Sequence, residues 1–210
     1  ADWRYATKEE VTLNHVLEIN EDELKKSNIG MQIVSSGPDL SDRYEIKLAY
    51  LKMIQKAKKY LYIQSPYLII DNEMMTALCL AAKSGVDVRI MTPGIPDKKM
   101  VFLLTQSYYE QLLEAGVRIY EYQPGFVHAK IFVSDDEVAT VGTINLDYRS
   151  LYLHFENGVW FYKNKVIQDI LDDFNQTLKY CDPISIDFCK NRNIVVRAFQ
   201  SILRLFAPLL

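Results

Sequence analysis

Apolar and polar positions along the chain follow two different periods, one typical of helices and one typical of strands. Residues 42–59 repeat apolar side chains at every third or fourth position, which predicts an amphipathic helix. Short runs rich in β-branched and aromatic residues lie between such helical stretches and predict strands. The first of these runs are MQIVSS, YLYIQSP, VDVRIMTPG and VRIYEYQ. The combination of the two periods predicts an α/β domain.

Glycines and capping residues mark the ends of the predicted helices. Asp71 and Asn72 are candidate N-caps for a helix over about residues 73–84, and Gly85 stands where that helix would end in a left-handed residue. A second helix is expected from Asp97 to Ala115, closed by Gly116. A short β-branched strand follows each glycine. This recurring connection predicts βαβ units and a largely parallel sheet.

The pattern changes after residue 126, where strands follow one another closely. Three strands are predicted there: HAKIFVS, EVATVG and NGVWFYK. Only DDE separates the first two, which favours a hairpin joined to the sheet. Amphipathic helices are then expected at residues 164–181 and 192–207. Because no linker or low-complexity stretch divides the chain, we expect one α/β domain with an irregular or helical lead-in over residues 1–30.

Composition and charge narrow the class of protein. With 49 % hydrophobic and 24 % charged residues, the 210-residue chain has the composition of a globular protein with a sizeable core. Its formal net charge of −3 argues against a protein whose main activity is binding the nucleic-acid backbone, because such proteins usually carry a basic excess. Nucleic acid is therefore not an expected partner.

The cysteines indicate the redox compartment of the protein, and the first residues indicate whether the chain is part of a longer one. The odd number of cysteines and the lack of C-x-x-C spacing predict free thiols in a reducing compartment rather than a disulfide framework or a zinc site. The segment ADWRYATKEE lacks an initiator methionine and does not resemble a signal peptide. We therefore expect the chain to be a fragment of a longer parent.

The chemically richest stretch is FVHAKIFVSDDEVATVGTINLDYRS, residues 126–150. Side chains alternate between faces along a strand, so His128 and Lys130 are expected on one side of it. The turn after the strand reverses the chain and brings Gly142, Thr143 and Asn145 back alongside. An imidazole, a fixed cation and a carboxamide suit a tetrahedral phosphate, because the cation and amide stabilise its oxygens while the imidazole acts on the bond that changes.

The spacing of these residues resembles a known family signature. The pattern H-x-K-x(4)-D-x(6)-G-[ST]-x-N is met by His128, Lys130, Asp135, Gly142, Thr143 and Asn145. It resembles the His-Lys-Asp signature of the phospholipase D superfamily. The flanking segments, over residues 31–163, resemble the second half of bacterial cardiolipin synthases. One departure is His154, where the family pattern leads us to expect asparagine.

The resemblance implies a fold and a division of the chain. The fold is a phospholipase D-like α-β-α sandwich with a mixed, largely parallel sheet. Residues 31–181 would form the catalytic domain with one His-Lys-Asp motif, and residues 182–210 a C-terminal amphipathic basic helix.

The resemblance also implies a reaction, in which a phosphatidyl group passes between two phosphatidylglycerol molecules through a phosphohistidine, with release of glycerol and without metal or cofactor. His128 would be the nucleophile or the general acid. The phosphate oxygens would be bound by Lys130, Asn145, Thr143 and Gly142.

Two acidic residues complete the expected site. Glu156 would orient His128 through the other nitrogen of the ring. Asp135 occupies the motif position but is expected to brace its loop rather than to contact substrate.

The family chemistry needs two motifs, and this chain has one. Neither His15 nor His154 is followed by a lysine two positions later. The leading interpretation is one half of a phosphatidyltransferase, inactive alone, whose parent supplies the first motif and acts at the cytoplasmic side of a bacterial cell membrane. The alternative is a single-motif phosphodiesterase or nuclease that completes its site as a homodimer. A third possibility is a folded interaction module whose motif is unused.

The C-terminal segment NRNIVVRAFQSILRLFAPLL combines apolar and basic residues at helical spacing. Arg197 and Arg204 are seven residues apart and share a face. A basic amphipathic helix of this kind can lie in a membrane interface, and it can equally pack on the other half of the parent. The sequence leaves both open.

Overall fold

The structure, a computed structural model, describes residues 30–37 and 44–209. The predicted lead-in, apart from Gly30, lies outside these residues, as does most of the turn predicted at GPDLSD. An eight-stranded sheet forms the centre of the molecule, and a separate two-stranded sheet lies at one end of it. The strands are β1 (Gly30–Ser36), β2 (Tyr60–Gln64), β3 (Leu68–Ile69), β4 (Asp87–Pro93), β5 (Arg118–Tyr122), β6 (Ile131–Ser134), β7 (Val138–Gly142), β8 (Leu146–Asp147), β9 (Glu156–Tyr162) and β10 (Cys181–Pro183).

Helices connect and flank these strands. They are α1 (Glu45–Lys56), α2 (Asn72–Lys83), α3 (Lys99–Ser107), α4 (Tyr109–Glu114), α5 (Val166–Leu178), α6 (Ile186–Lys190) and α7 (Ile194–Leu205). A π-helical turn covers Arg149–Leu153, and a 3₁₀ turn covers Ala207–Leu209. Within the described part of the chain, no helix is both long and apolar enough to cross a membrane.

The large sheet has the order β1-β9-β7-β6-β2-β4-β5-β10. Parallel pairing is confined to β2, β4 and β5, and every other neighbouring pair is antiparallel. Five strands nevertheless point in the same direction: β1, β2, β4, β5 and β7. The prediction of a mixed α/β sheet is confirmed, and the predicted hairpin is the β6–β7 pair.

Apolar side chains fill both faces of the sheet. The larger core lies under α1–α4 and includes Tyr50, whose ring stacks on Phe132 at 4.1 Å between centroids. The smaller core lies under α5 and contains Ile131 and Val133 on its sheet side and Ile170 on the helix. Because successive strand residues face opposite sides, β6 contributes to both layers. The α-β-α sandwich is therefore confirmed.

The predicted ends of the second helix are confirmed. The side chain of Asp71 accepts a hydrogen bond of 2.8 Å from the backbone N–H of Met74 and so caps α2. Gly85 has φ +93° and Gly116 has φ +98°, the left-handed conformation expected where a helix ends in glycine. The two glycines determine where α2 ends before β4 and where α4 ends before β5.

The predicted single helix from Asp97 to Ala115 is wrong, because the chain forms two helices with a break at Tyr108. The backbone N–H of Tyr108 bonds to the carbonyl of Thr105, three residues back, so the helical turn tightens there. The next side chain, Tyr109, is fully buried, and its hydroxyl lies 3.1 Å from the carboxylate of Glu121 on β5. The break thus depends on contacts made across the fold.

The β7–β9 contact at Gly142 is so close that it requires a glycine. A Cβ atom added there would collide with the carbonyl oxygen of Asn157 and lie 2.7 Å from the Cα atom of Gly158. This approach brings the residues after Gly142 against the start of β9, where part of the candidate site lies.

Substituting Gly142→Ala should lower the free energy of unfolding by about 1–3 kcal/mol, because the backbone of β9 must move away from the new methyl group. Urea unfolding followed by circular dichroism measures this change. Gly125→Ala is the matched control, since a Cβ atom there meets nothing within 4 Å, and it should change the free energy by less than about 0.5 kcal/mol. Equal stability of the two variants would contradict the close contact.

Candidate active site

The two residues that open the motif lie just before a strand and not within it. The predicted strand HAKIFVS begins at Ile131, so His128 and Lys130 occupy an extended segment between β5 and β6. The neighbouring strand β2 pairs with β6 as far as Gln64 and is followed by Pro66, which has no N–H to offer to a ladder. The expectation that strand geometry alone places the two side chains is therefore corrected.

The side chain of Lys130 is buried, with 8 % of its surface exposed. Its ammonium group donates a hydrogen bond of 2.7 Å to the carbonyl oxygen of His128. Burial lowers the pKa of Lys130, and the carboxylates of Glu156 and Asp147 oppose that shift. A buried cation is well suited to receive a phosphate, because its charge is little screened by water.

The ring of His128 is exposed and stands at the end of a row of aromatic side chains. Its centroid is 5.7 Å from the ring of Phe126, which in turn lies 6.2 Å from the ring of Tyr67. The hydroxyl of Tyr67 donates a hydrogen bond of 2.6 Å to Asp97. The contact between Tyr67 and Asp97, thirty residues apart in the chain, was not predicted from the sequence.

The pKa of His128 lies below its usual value. Partial burial is the main cause, the positive charge of Lys130 adds to it, and Asp97 acts in the opposite direction. The shift favours the neutral imidazole near pH 7, which is the form that accepts a proton or attacks phosphorus.

Glu156 holds the loops around the site, and its hydrogen bonds differ from the predicted one. Its two oxygens accept hydrogen bonds from the hydroxyls of Thr143 and Ser150, the second at 2.7 Å. Within the described part of the chain, Glu156 makes no hydrogen bond to His128. The nearby ring of His154 has its Nδ1 atom 3.9 Å from the carboxylate. The contact between Ser150 and Glu156 was not predicted, because Ser150 reaches the carboxylate only through the π-helical turn.

The departure at His154 has a structural counterpart in the same turn. The Nε atom of Arg149 donates a hydrogen bond of 3.0 Å to the Nε2 atom of His154. The ring therefore lies between a guanidinium group and the carboxylate of Glu156. A neutral His154 accepts from the first and presents its other nitrogen to the second.

Two carboxamides lie at strand ends near the motif. Among the described residues, Asn145 Oδ1 and Gln64 Oε1 are buried without a hydrogen-bond partner. Asn145 directly precedes β8, and Gln64 pairs with Ile131, the residue after Lys130. Buried polar atoms are rarely left without a partner, so each of these acceptor oxygens marks a position where a hydrogen-bond donor of a bound group could complete the bonding. Gln64 was not identified from the sequence, since it reads as an ordinary strand residue.

Asp135 stabilises the hairpin. Its carboxylate accepts hydrogen bonds from the backbone N–H groups of Lys58, Lys59 and Tyr60 at 2.7–2.9 Å. Its φ of +55° lies in the left-handed region that aspartate tolerates better than most residues. These contacts join the hairpin to the start of β2, the bracing role expected of the residue.

Together the site offers an exposed neutral imidazole, a buried cation and carboxamides without partners at one end of the sheet. The imidazole can act as base or nucleophile, and the cation can stabilise negative charge on non-bridging oxygens.

Comparison with solved structures agrees with the observed fold. A phospholipase D family member, Nuc, from Salmonella typhimurium superimposes with a TM-score of 0.61 at 20 % identity, covering 74 % of this chain and 98 % of that one. The phosphatidylserine synthase of Haemophilus influenzae gives a TM-score of 0.67 at 16 % identity, covering 86 % of this chain and 46 % of that one. The fold is thus that of the phospholipase D class.

Sequence comparison identifies the family within that class. The family described as "Cardiolipin synthase, PLD-like domain" matches residues 50–178. The cardiolipin synthase of Clostridium perfringens is 42 % identical over the whole chain, and that of Alkalihalophilus pseudofirmus is 41 % identical. The chain belongs to the cardiolipin synthase PLD-like domain family. It spans 44 % and 41 % of the length of these two curated relatives.

Substituting Lys130→Met should raise the pKa of His128, because a nearby positive charge that disfavours the imidazolium form is removed. Ring-proton NMR titration of the chain measures this, with His128→Gln used to assign the signal. Lys83→Met, on the exposed end of α2, is the matched control and should leave the pKa unchanged. A pKa that falls or stays the same in Lys130→Met would contradict the proximity of the two side chains.

Substituting Asp135→Ala should lower the free energy of unfolding by about 1–3 kcal/mol, because three backbone N–H groups lose a charged acceptor. Asp135→Asn should lose less, since its carboxamide oxygen still accepts and asparagine tolerates positive φ. Urea unfolding measures both. Asp173→Ala, at an exposed position of α5, is the control. A loss no larger than that of the control would argue against the bracing role.

Proposed function

We propose that this chain is the second-motif half of a cardiolipin synthase, a phosphatidyltransferase that moves a phosphatidyl group from one phosphatidylglycerol to another and releases glycerol. The observation that carries the proposal is the 42 % identity with the Clostridium perfringens cardiolipin synthase across the entire chain. The site geometry supports it, because a neutral imidazole beside a buried cation is suited to attack on a phosphodiester.

The reaction runs in two displacements. In the first, an imidazole nitrogen forms a bond to the phosphorus of phosphatidylglycerol while the bond to the glycerol oxygen breaks, and a second, protonated imidazole gives its proton to that oxygen. In the second, a hydroxyl group of another phosphatidylglycerol attacks the phosphohistidine and passes its proton to the second imidazole. Cardiolipin leaves, and both rings return to their starting states.

Each motif residue has a proposed role in these steps. His128 supplies one of the two imidazoles. Lys130 and Asn145 bind the non-bridging oxygens, with the backbone at Gly142 and Thr143 closing the same side. Glu156 positions this side of the site through its hydrogen bond with the hydroxyl of Thr143, rather than through a direct bond to the ring of His128.

The other imidazole must come from outside the motif described here. We propose that the missing half of the parent provides it, and that the parent works at the cytoplasmic side of a bacterial cell membrane, where its phospholipid substrate lies. The chain alone is then inactive. No metal or cofactor takes part in the proposed steps.

In the intact parent, His128→Ala should abolish cardiolipin formation, lowering kcat by about 10³-fold or more, because removing one member of a catalytic pair leaves little of its function. Lys130→Met should lower kcat strongly, and the control Lys83→Met should not. Conversion of phosphatidylglycerol to cardiolipin and glycerol is followed by mass spectrometry. Mass spectrometry of the quenched reaction also locates the phosphatidylated histidine. Full activity of His128→Ala would contradict the proposal.

A second experiment separates this proposal from a homodimeric phosphodiesterase. The purified 210-residue chain is tested by light scattering for its oligomeric state, and with bis(p-nitrophenyl) phosphate for hydrolysis. We expect no turnover until the other half of the parent is added. Hydrolysis by a dimer of the chain alone would favour the phosphodiesterase, and cardiolipin formation by a monomer would contradict the need for a second motif.

A further inference from the structure

The last long helix, α7, has its apolar residues on the outside. Its face toward the body of the protein carries Gln200 and Leu203, which are buried, whereas Leu205 has 78 % of its surface exposed and Ile194 has 81 %. An amphipathic helix of a globular protein ordinarily turns its apolar stripe inward. We call the outer surface the apolar face of α7; its members are Ile194, Val195, Phe199, Ile202, Leu205 and Phe206, and all are exposed.

Polar and cationic contacts attach the other side of α7 to the domain. The side-chain amide of Gln200 donates a hydrogen bond of 2.8 Å to the backbone carbonyl of Leu103 on α3. The guanidinium group of Arg204 lies 4.5 Å from the centre of the Tyr108 ring, and that of Arg197 lies 3.4 Å from Glu110. The apolar face therefore points outward because specific contacts hold the helix in that rotation.

The segment that contains this helix is basic. Residues 188–210 contain four basic residues and no acidic residue. Two of the cations pair with acids of α4, Lys190 with Glu114 and Arg197 with Glu110. The other two, Arg192 and Arg204, stack on aromatic rings.

Behind the helix, a cavity of about 140 Å³ is lined by three of these guanidinium groups. An apolar face next to a surplus of fixed cations is complementary to a surface that is apolar inside and anionic at its boundary.

We propose that the apolar face of α7 is a docking surface for an anionic phospholipid bilayer, with the helix lying in the plane of the interface. Interfacial helices of this kind combine an apolar face with basic residues and bind anionic lipid through both. The choice of a lipid occupant over a protein rests partly on the proposed function, since a transferase for membrane phospholipids must reach a bilayer.

A second exposed segment lies between the site and this helix. Ile95 and Met100 are exposed on the stretch that carries Asp97 and leads into α3, the helix on which α7 packs. Lys98 and Lys99 on the same stretch are also exposed. This stretch continues the combination of apolar and basic residues from the docking surface toward His128.

Flotation of the 210-residue chain with vesicles tests the proposal. Vesicles of phosphatidylserine and phosphatidylcholine should bind the chain, and vesicles of phosphatidylcholine alone should bind it at least about tenfold more weakly. Phosphatidylserine is used because it is anionic but is not the substrate of the proposed transfer. Binding then does not depend on turnover, and His128→Ala should bind like the wild type.

Two double variants separate the contribution of the apolar face to vesicle binding from that of the arginines. Ile202→Glu with Leu205→Glu should lower the apparent vesicle affinity by about tenfold or more, because it places charges in the interface. Arg192→Gln with Arg204→Gln should weaken binding to anionic vesicles only. The matched control is Leu48→Glu with Leu80→Glu, at exposed apolar positions of α1 and α2, and it should bind like the wild type. Circular dichroism checks that each variant is folded.

The outcomes distinguish this proposal from the proposed function. Failure of the wild type to bind anionic vesicles, or unchanged binding by the α7 variant, overturns the docking surface even if transfer activity is intact. So does a result in which the α7 variant changes the oligomeric state, or the association with the other half of the parent, instead of vesicle binding. Vesicle binding that depends on α7 supports the docking surface even if the transfer reaction is not observed.

Discussion

The candidate site depends on the burial of one positive charge. The ammonium group of Lys130 is removed from water, and a buried charge is costly unless hydrogen bonds and opposite charges compensate for it. Compensation comes from the carbonyl of His128 and from the fields of Glu156 and Asp147. Because these acids belong to β9 and β8, one side chain links the irregular segment before β6 to two other strands of the fold.

The sheet explains why these parts meet. The central strand β2 has β4 on one side and β6 on the other, and it ends near Pro66. Beyond that point the segment at His128 makes no strand pairing with β2, so side-chain contacts can determine its conformation instead. The close approach of β7 and β9 then brings Thr143 against Glu156. The site thus lies where regular pairing stops.

Periodicity and turn residues predicted the α/β class, because they are local properties. The sandwich and the site came from the resemblance to the phospholipase D signature. The cap at Asp71 and the left-handed glycines were likewise predicted from local properties. The start of β6 and the break at Tyr108 were not, since one depends on where a neighbouring strand ends and the other on buried contacts with β5. The contact of Ser150 with Glu156 depends on a π-helical turn for which residues 149–153 carry no recognisable signal. Residues 1–29 lie outside the described structure, so the predicted lead-in remains a prediction.

We propose that Lys130, His128 and Asn145 form one anion-binding surface, which the buried ammonium group holds in place. Titration of the chain with inorganic phosphate, followed by the NMR signals of the His128 ring and the Asn145 side-chain amide, tests it most directly. We expect both signals to shift together as phosphate is added, and neither to shift in Lys130→Met. Phosphate that leaves both signals unchanged while perturbing only the arginines of α7 would contradict it.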